Sequence, residues 1–189
     1  MEGKPIKIRS AEEAINYGIS LVPEDRKKMG LVLMQAVYEN ISLPNLGKFS
    51  NALSIDKYKE LKACKKYADD LAIKTPSLFA ITESLSGGNQ QKVVIAKWLM
   101  STPKILILDD PTRGIDVGTK YEIYKLINTL AENGIAIIMI SSELEEVIGM
   151  SDRIMIMHEG KCTKILDRED ATQEKIMAFA SGINNYSEV

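Results

Sequence analysis

Apolar residues recur along this chain in two different periods, and the change between them divides it. Near the start, Ser10 to Asn16 reads as a short helix. Ser10 is its N-cap, and Glu13 stands three residues on, the capping-box spacing. Gly18 ends the helix, and Ile19 to Val22 is a strand-length apolar run stopped by Pro23. The charged stretch VPEDRKKMG then reads as a loop. From about residue 35 to 100 the pattern is helical. Tyr58, Leu61, Cys64, Ala68 and Leu71 fall three or four apart and predict one apolar face. Pro76 breaks the pattern and Gly87-Gly88 interrupts it, so a further helix is expected from Asn89 to about Met100, with Val93, Ala96 and Met100 inward.

Beyond residue 100, strands and helices alternate. Ile105 to Leu108 and Ile135 to Ile140 are continuous apolar runs, as expected of strands buried on both faces. Between them, Thr119 to Glu132 carries Tyr121, Tyr124, Leu126 or Ile127, and Leu130 at helical spacing, with Gly134 as a C′ residue. Ser142 to Gly149 reads as a short capped helix, Arg153 to Met157 as a third strand, and Glu159-Gly160 as a turn into Lys161 to Leu166. Thr172 to Ser181 is the last helix. The succession predicts a parallel sheet built from βαβ units. The expected division is a helical part at about 35–100 and an α/β part at 101–189.

Composition narrows the function classes. Of 189 residues, 45% are hydrophobic and 26% charged, ordinary for a globular domain. The net charge of −2 argues against the strongly basic face of a nucleic-acid binder. Cys64 and Cys162 are far apart and form no metal-ligand spacing, so they read as thiols in a reducing compartment. His158 has no partner pattern and reads as structural. The opening MEGKPIKIRS has no apolar stretch behind it, and no run of about 20 apolar residues occurs. The expectation is a cytoplasmic chain whose membrane contact comes through a partner.

Four segments could carry chemistry. Leu85-Ser86-Gly87-Gly88-Asn89-Gln90-Gln91 places a serine and two glycines at a helix start. There free amides and partial positive charge suit a phosphate. As a bare Ser-Gly-Gly it reads first as a glycine turn with a routine cap. Asp109 and Asp110 stand at the C-terminal end of a buried strand, the edge where open α/β sheets bind ligands. One carboxylate there could hold Mg²⁺ and its neighbour could orient water, or both could be solvated and inert. Pro111 to Asp116 is by itself a turn. Ser141-Ser142-Glu143 ends a strand in two hydroxyls that could do no more than cap a helix.

Their order and spacing bring these segments together. LSGGNQQ precedes ILILDDPTRGID by roughly twenty residues, and the strand ending in SSE follows about thirty beyond. In this the chain resembles the ABC ATPase family over nearly its whole length. LSGGNQQ resembles the family's signature motif, ILILDD its Walker B, RGID its D-loop, and Ser142 stands at its switch-histidine position. VPEDR, ENISLP, PTRGIDVGTKYEIY and ISSELEEVIGMSDRI are similar to the second nucleotide-binding domain of monosaccharide importers of the ribose, galactose and xylose type. The resemblance implies a P-loop NTPase-like α/β core with a mostly parallel sheet and a helical subdomain. ATP and Mg²⁺ are the implied cofactors. Ser86, Gly87, Gly88 and Gln90 would contact a nucleotide held by a second cassette. Asp109 would hold the metal, Asp110 and Ser142 would be catalytic, Asp116 belongs to the D-loop, and Glu24 occupies the Q-loop position. The implied partners are a second ABC nucleotide-binding domain, transmembrane permease subunits and, indirectly, a sugar-binding protein. The chain would work at the cytoplasmic face of the membrane.

The sequence departs from the family pattern in three places. GxxxxGK[ST], the Walker A loop, does not occur, so the chain is expected to be truncated at its N-terminus and to lack the Walker A strand. Asp110 stands where the family has glutamate. It is one methylene shorter, and a shift of ~1 Å in a catalytic group costs on the order of 100-fold in rate. Ser142 and Glu24 replace histidine and glutamine. Two further readings remain open: a catalytically inactive remnant of such a subunit, and an ABC ATPase of the DNA-repair or translation type. The mild acidity and sugar-type segments stand against the last.

Overall fold

The computed structural model describes residues 1, 3–51 and 54–182. It divides into two compact units, Met1–Ile138 and Met139–Val189.

In the first unit, α1 (Ala11–Asn16) leads through Gly18 into β1 (Ile19–Val22). Ser10 Oγ accepts from the Glu13 amide at 3.1 Å, as the capping spacing predicts, and Glu13 returns to the amide of Arg9 at 2.7 Å. The VPEDRKKMG stretch is more ordered than a loop. Arg26–Gly30 forms a π-helical turn, and Asp25 caps it by accepting from the Lys27 and Lys28 amides, both at 3.1 Å. After α2 (Val37–Ser42) and a 3₁₀ segment, Leu43–Phe49, come α3 (Lys57–Asp70), a short 3₁₀ turn at Thr82–Ser84, and α4 (Gly87–Leu99). β2 (Ile105–Asp109) and α5 (Val117–Glu132) follow, and β3 (Ala136–Ile140) runs across the division at residue 138.

β1 and β2 run parallel, Ile19 beside Ile105 through Val22 beside Leu108, so the whole helical stretch is one crossover between neighbouring strands. The strand order is β1-β2-β3. Only one face of the β1–β2 pair is sealed. Ser20, Val22, Leu106 and Leu108 are buried, while Leu21 is 47% exposed. On β3, Ile138 and Ile140 are exposed as well. Burial on both faces, expected from the apolar runs, is therefore not met among the described residues. Those strands alternate instead, as one-sided strands do.

α4 is the spine of the first unit. Val93, Val94, Ile95 and Ala96 are fully buried, and the helix packs on β1, α2, α3 and α5. On α3 the inward face is Glu60, Cys64 and Ala68, and Tyr58 is turned out, 76% exposed. Glu60 is tolerated inside because Ser42 Oγ donates to it at 2.6 Å and Lys57 Nζ at 3.0 Å. On α5 the buried positions are Ile123, Ile127 and Leu130 rather than the tyrosines. Tyrosine can leave its ring at the rim, whereas Ile123 has no polar end to expose. Burial, and secondarily the charge of Glu60, pushes the Cys64 thiol up to about 12, while Cys162 is exposed. At pH 8 the folded chain should therefore titrate one thiol with a disulfide reagent, and two after denaturation. Two fast thiols in the folded chain would contradict this placement.

The second unit contains α6 (Leu144–Met150), β4 (Arg153–His158), β5 (Lys161–Asp167), a 3₁₀ turn at Arg168–Asp170 and α7 (Gln173–Ala180). β4 pairs antiparallel with β5 across the turn read at Glu159-Gly160. The cause is local. Glu159 and Gly160 both have positive φ, 46° and 76°, and a two-residue connection of that hand joins only antiparallel strands. Ile154, Ile156, Leu166, Ile176 and Phe179 form the core of this unit. His158 is structural, its Nδ1 lying 2.7 Å from the Ala180 carbonyl.

Candidate functional site

The first unit gathers its distinctive chemistry around the N-terminus of α4. The helix begins at Gly87, two residues before the expected Asn89, so both glycines belong to its first turn. Ser86 is the N-cap and is exposed, yet its side chain bonds to no first-turn amide; its hydroxyl accepts from Asn89 Nδ2 at 2.9 Å. First-turn amides have no intrahelical carbonyl to meet, so the opening of α4 presents donors together with the positive end of the helix dipole.

The two glycines answer different constraints. Gly88 is buried, and a Cβ built on it would lie 2.0 Å from Thr119 Cγ2. Only a glycine lets α4 come this close to α5. Thr119 is itself fixed, since Asp116 caps α5 by accepting from the Thr119 amide at 3.0 Å and from its hydroxyl at 2.7 Å. Those bonds, the hydroxyl's first, hold the Asp116 carboxyl below its ordinary range. Gly87 is half-buried, and a Cβ there would lie 2.7 Å from Arg26 Nη2.

Gln90 sits away from this surface. It is 4% exposed, and its Nε2 donates to the carbonyls of Thr82 at 3.3 Å and Glu83 at 3.4 Å. It steadies the 3₁₀ turn that delivers Leu85 and Ser86 to the helix.

Arg26 connects three of the sequence segments. Its Nη1 donates to the Arg113 carbonyl at 2.7 Å and its Nη2 to the Gly114 carbonyl at 3.3 Å, while the same group lies against Gly87. Burial lowers its pKa, and the neighbouring Asp25 opposes that shift. Glu24 forms an ion pair with Arg113, and Glu24, Asp25, Arg26, Lys27 and Arg113 line a shallow polar cleft. The π-turn is also anchored along α4. Gly30 packs on Val94, and buried Lys97 donates to the Gly30 carbonyl at 2.9 Å.

Asp109 is the last residue of β2, and Asp110 follows it with φ of 41°, a region aspartate enters more readily than most residues. Both are partly buried, and the Arg113 amide closes the turn onto the Asp110 carbonyl at 3.0 Å. No cluster of three or more metal-ligating side chains occurs among the described residues. In the second unit, Ser142 is exposed in the bend between β3 and α6. Its neighbour Ser141 makes the bonds the sequence suggested for the pair, accepting from the Glu143 amide at 3.0 Å and donating to Glu146 at 2.8 Å.

Sequence reasoning missed Arg26, Thr119 and Lys97. The one usable signal was the glycine pair itself, because two glycines inside a helix ask what approaches them closely.

The architecture is that of an ATP-binding cassette. A nucleotide-free cassette from an ABC transporter superposes with a TM-score of 0.72, 24% identity, and coverage of 95% of this chain and 71% of that one. A dimeric cassette in a post-hydrolysis state, bound to ADP and phosphate, superposes with a TM-score of 0.70 and 22% identity, covering 85% and 68%. The ABC transporter family profile matches residues 1–113, and the chain belongs to that family. Among its relatives are the xylose import ATP-binding protein of Thermoanaerobacter pseudethanolicus, 54% identical over 96% of this chain, and the ribose import ATP-binding protein of Clostridium perfringens (strain 13 / Type A), 53% identical over 98%. The chain spans 36% and 37% of those two proteins' length. No helix among the described residues is long and apolar enough to cross a membrane.

Proposed function

We propose that this chain is a nucleotide-clamping module of a sugar ABC importer, in which ATP hydrolysis is coupled to carbohydrate uptake. The observation that carries the reading is the opening of α4, where an exposed Ser86 leaves the first-turn amides without a side-chain partner. Ser86 and Gly87 would grip the phosphates of an ATP held by a second cassette, with the α4 dipole favouring their charge. Gly88 would serve the same surface from beneath by letting α4 seat on α5. Gln90 would position the turn before it. The reading draws support from relatives named for xylose and ribose import.

At the end of β2, Asp109 would hold Mg²⁺ and Asp110 would orient the attacking water through its carboxylate. Mg²⁺, when bound, would supply positive charge that neutralises the phosphates. Within the first unit, Glu24 would stand at the mouth of the polar cleft and Asp116 would shape the turn facing the partner cassette; in the second unit, taken by itself, Ser142 would offer a neutral hydroxyl to a phosphate. GxxxxGK[ST] is not among these residues, so in this reading another polypeptide segment cradles the β- and γ-phosphates. Permease subunits, with a sugar-binding protein behind them, would place the assembly at the cytoplasmic face of the membrane.

The test uses a cassette that carries GxxxxGK[ST] and whose hydrolysis is blocked. With ATP and Mg²⁺ this chain should form a 1:1 complex with it in sedimentation, and the complex should dissolve when ADP replaces ATP. Association indifferent to the nucleotide, or none, would contradict the reading.

A further inference from the structure

Resting on that reading, we propose that Arg26 is a positioning residue that locks the phosphate-gripping end of α4 to the turn between β2 and α5. Three segments far apart in sequence meet at its guanidinium. The fork donates to two successive carbonyls, Arg113 at 2.7 Å and Gly114 at 3.3 Å, and its edge rests against Gly87. Gly114 has φ of 67°, which turns its carbonyl as well as that of Arg113 toward the fork.

The placement is unusual for a cation. A positive charge beside the first turn of a helix opposes the helix dipole. Its Nε is buried with no hydrogen-bond partner among the described residues, and burial disfavours the charge. A residue serving α4 alone would better be neutral or acidic. What arginine does here, and lysine cannot, is hold two carbonyls in one plane with a rigid fork. It thereby fixes the distance between the α4 opening and the turn at Arg113–Gly114. The support behind it is equally fixed. Lys97 and Val94 pin the far end of the π-turn to α4 through Gly30, so the segment from Arg26 to Gly30 lies strapped along the helix whose start it sets. A π-turn in such a place matches the tendency of these turns to occur at functional sites. Displacing Arg26 would leave Ser86 exposed and chemically intact but free to drift from the turn that faces the same partner.

Two experiments test this. In the first, amide exchange is followed in the full chain. Arg26→Ala should raise exchange at the Arg113, Ile115 and Gln90 amides together, at least tenfold, with a melting temperature within a few degrees of the parent's. In the second, association with an ATP-loaded, GxxxxGK[ST]-bearing cassette is measured. Arg26→Ala should weaken it at least tenfold and Arg26→Lys by an intermediate factor. Gly87→Ala should weaken it similarly, because its Cβ displaces the guanidinium. Adding Gly87→Ala to Arg26→Ala should cost nothing further, a non-additivity that a general loss of stability does not produce. Wild-type-like binding by Arg26→Ala and Arg26→Lys, with the parent complex intact, would overturn the role and leave the clamp reading standing. Independent effects of the two substitutions, or exchange that rises at one segment only, would overturn it too. Failure of the parent chain to associate with the ATP-loaded cassette would overturn the clamp reading and the role together.

Discussion

Gly88→Ala is expected to lower the stability of the first unit by about 2 kcal/mol, the usual scale for overpacking a fitted contact. Helix propensity alone would point the other way, since alanine gains up to ~1 kcal/mol over glycine within a helix. The geometry decides which effect wins. A contact of 2.0 Å with Thr119 Cγ2 cannot be met without moving a helix. Thr119 cannot swing aside cheaply, because its hydroxyl and amide both bond Asp116. Thr119→Ser removes the offending methyl, keeps the hydroxyl, and leaves the nearest remaining atoms at 3.1 and 3.4 Å. The double variant should therefore recover more than half of the loss. Thermal unfolding of the four proteins checks this, with a fall of roughly 5 °C for the single variant. Strictly additive effects would show that α4 and α5 do not meet at this point.

Ser86→Arg should have the opposite profile. The chain should melt within about 2 °C of its parent, because Ser86 is exposed and supports no first-turn amide. ATP-dependent association with a GxxxxGK[ST]-bearing cassette should fall at least 100-fold, which corresponds to about 2.7 kcal/mol. An arginine side chain would fill the space a phosphate must enter, and the short hydroxyl that could bond it would be gone. Its added charge would attract the anion, so the expected loss is steric and is a demanding test. Undiminished association would mean that the α4 opening faces no nucleotide.

What the sequence made legible was mostly what periodicity and caps dictate. β1, β2, the cap of α1 and the spine of α4 all follow from local pattern, and family membership followed from the order of LSGGNQQ, ILILDD and SSE. The turn at Glu159-Gly160 into the following strand was legible as well. Two misses have tertiary causes. The buried faces of α3 and α5 were misjudged because Tyr58 and Tyr121 count as apolar in a pattern yet are content at a rim, while Glu60 counts as polar yet is buried with two donors. Arg26 was invisible because its partners are main-chain carbonyls 87 and 88 residues away, and a carbonyl leaves no mark on a sequence. The glycine pair was legible as a site for close approach, but which neighbour approached each glycine was a tertiary fact.

The central claim is that Ser86 and its following amides touch a phosphate held by another cassette. An ATP derivative with a photoreactive group on its γ-phosphate, bound to a GxxxxGK[ST]-bearing cassette and mixed with this chain, tests it most directly. Irradiation should label this chain within Leu85–Asn89, only with Mg²⁺ present, and Ser86→Arg should abolish the label. Labelling elsewhere on the chain, with none on that segment, would contradict the account.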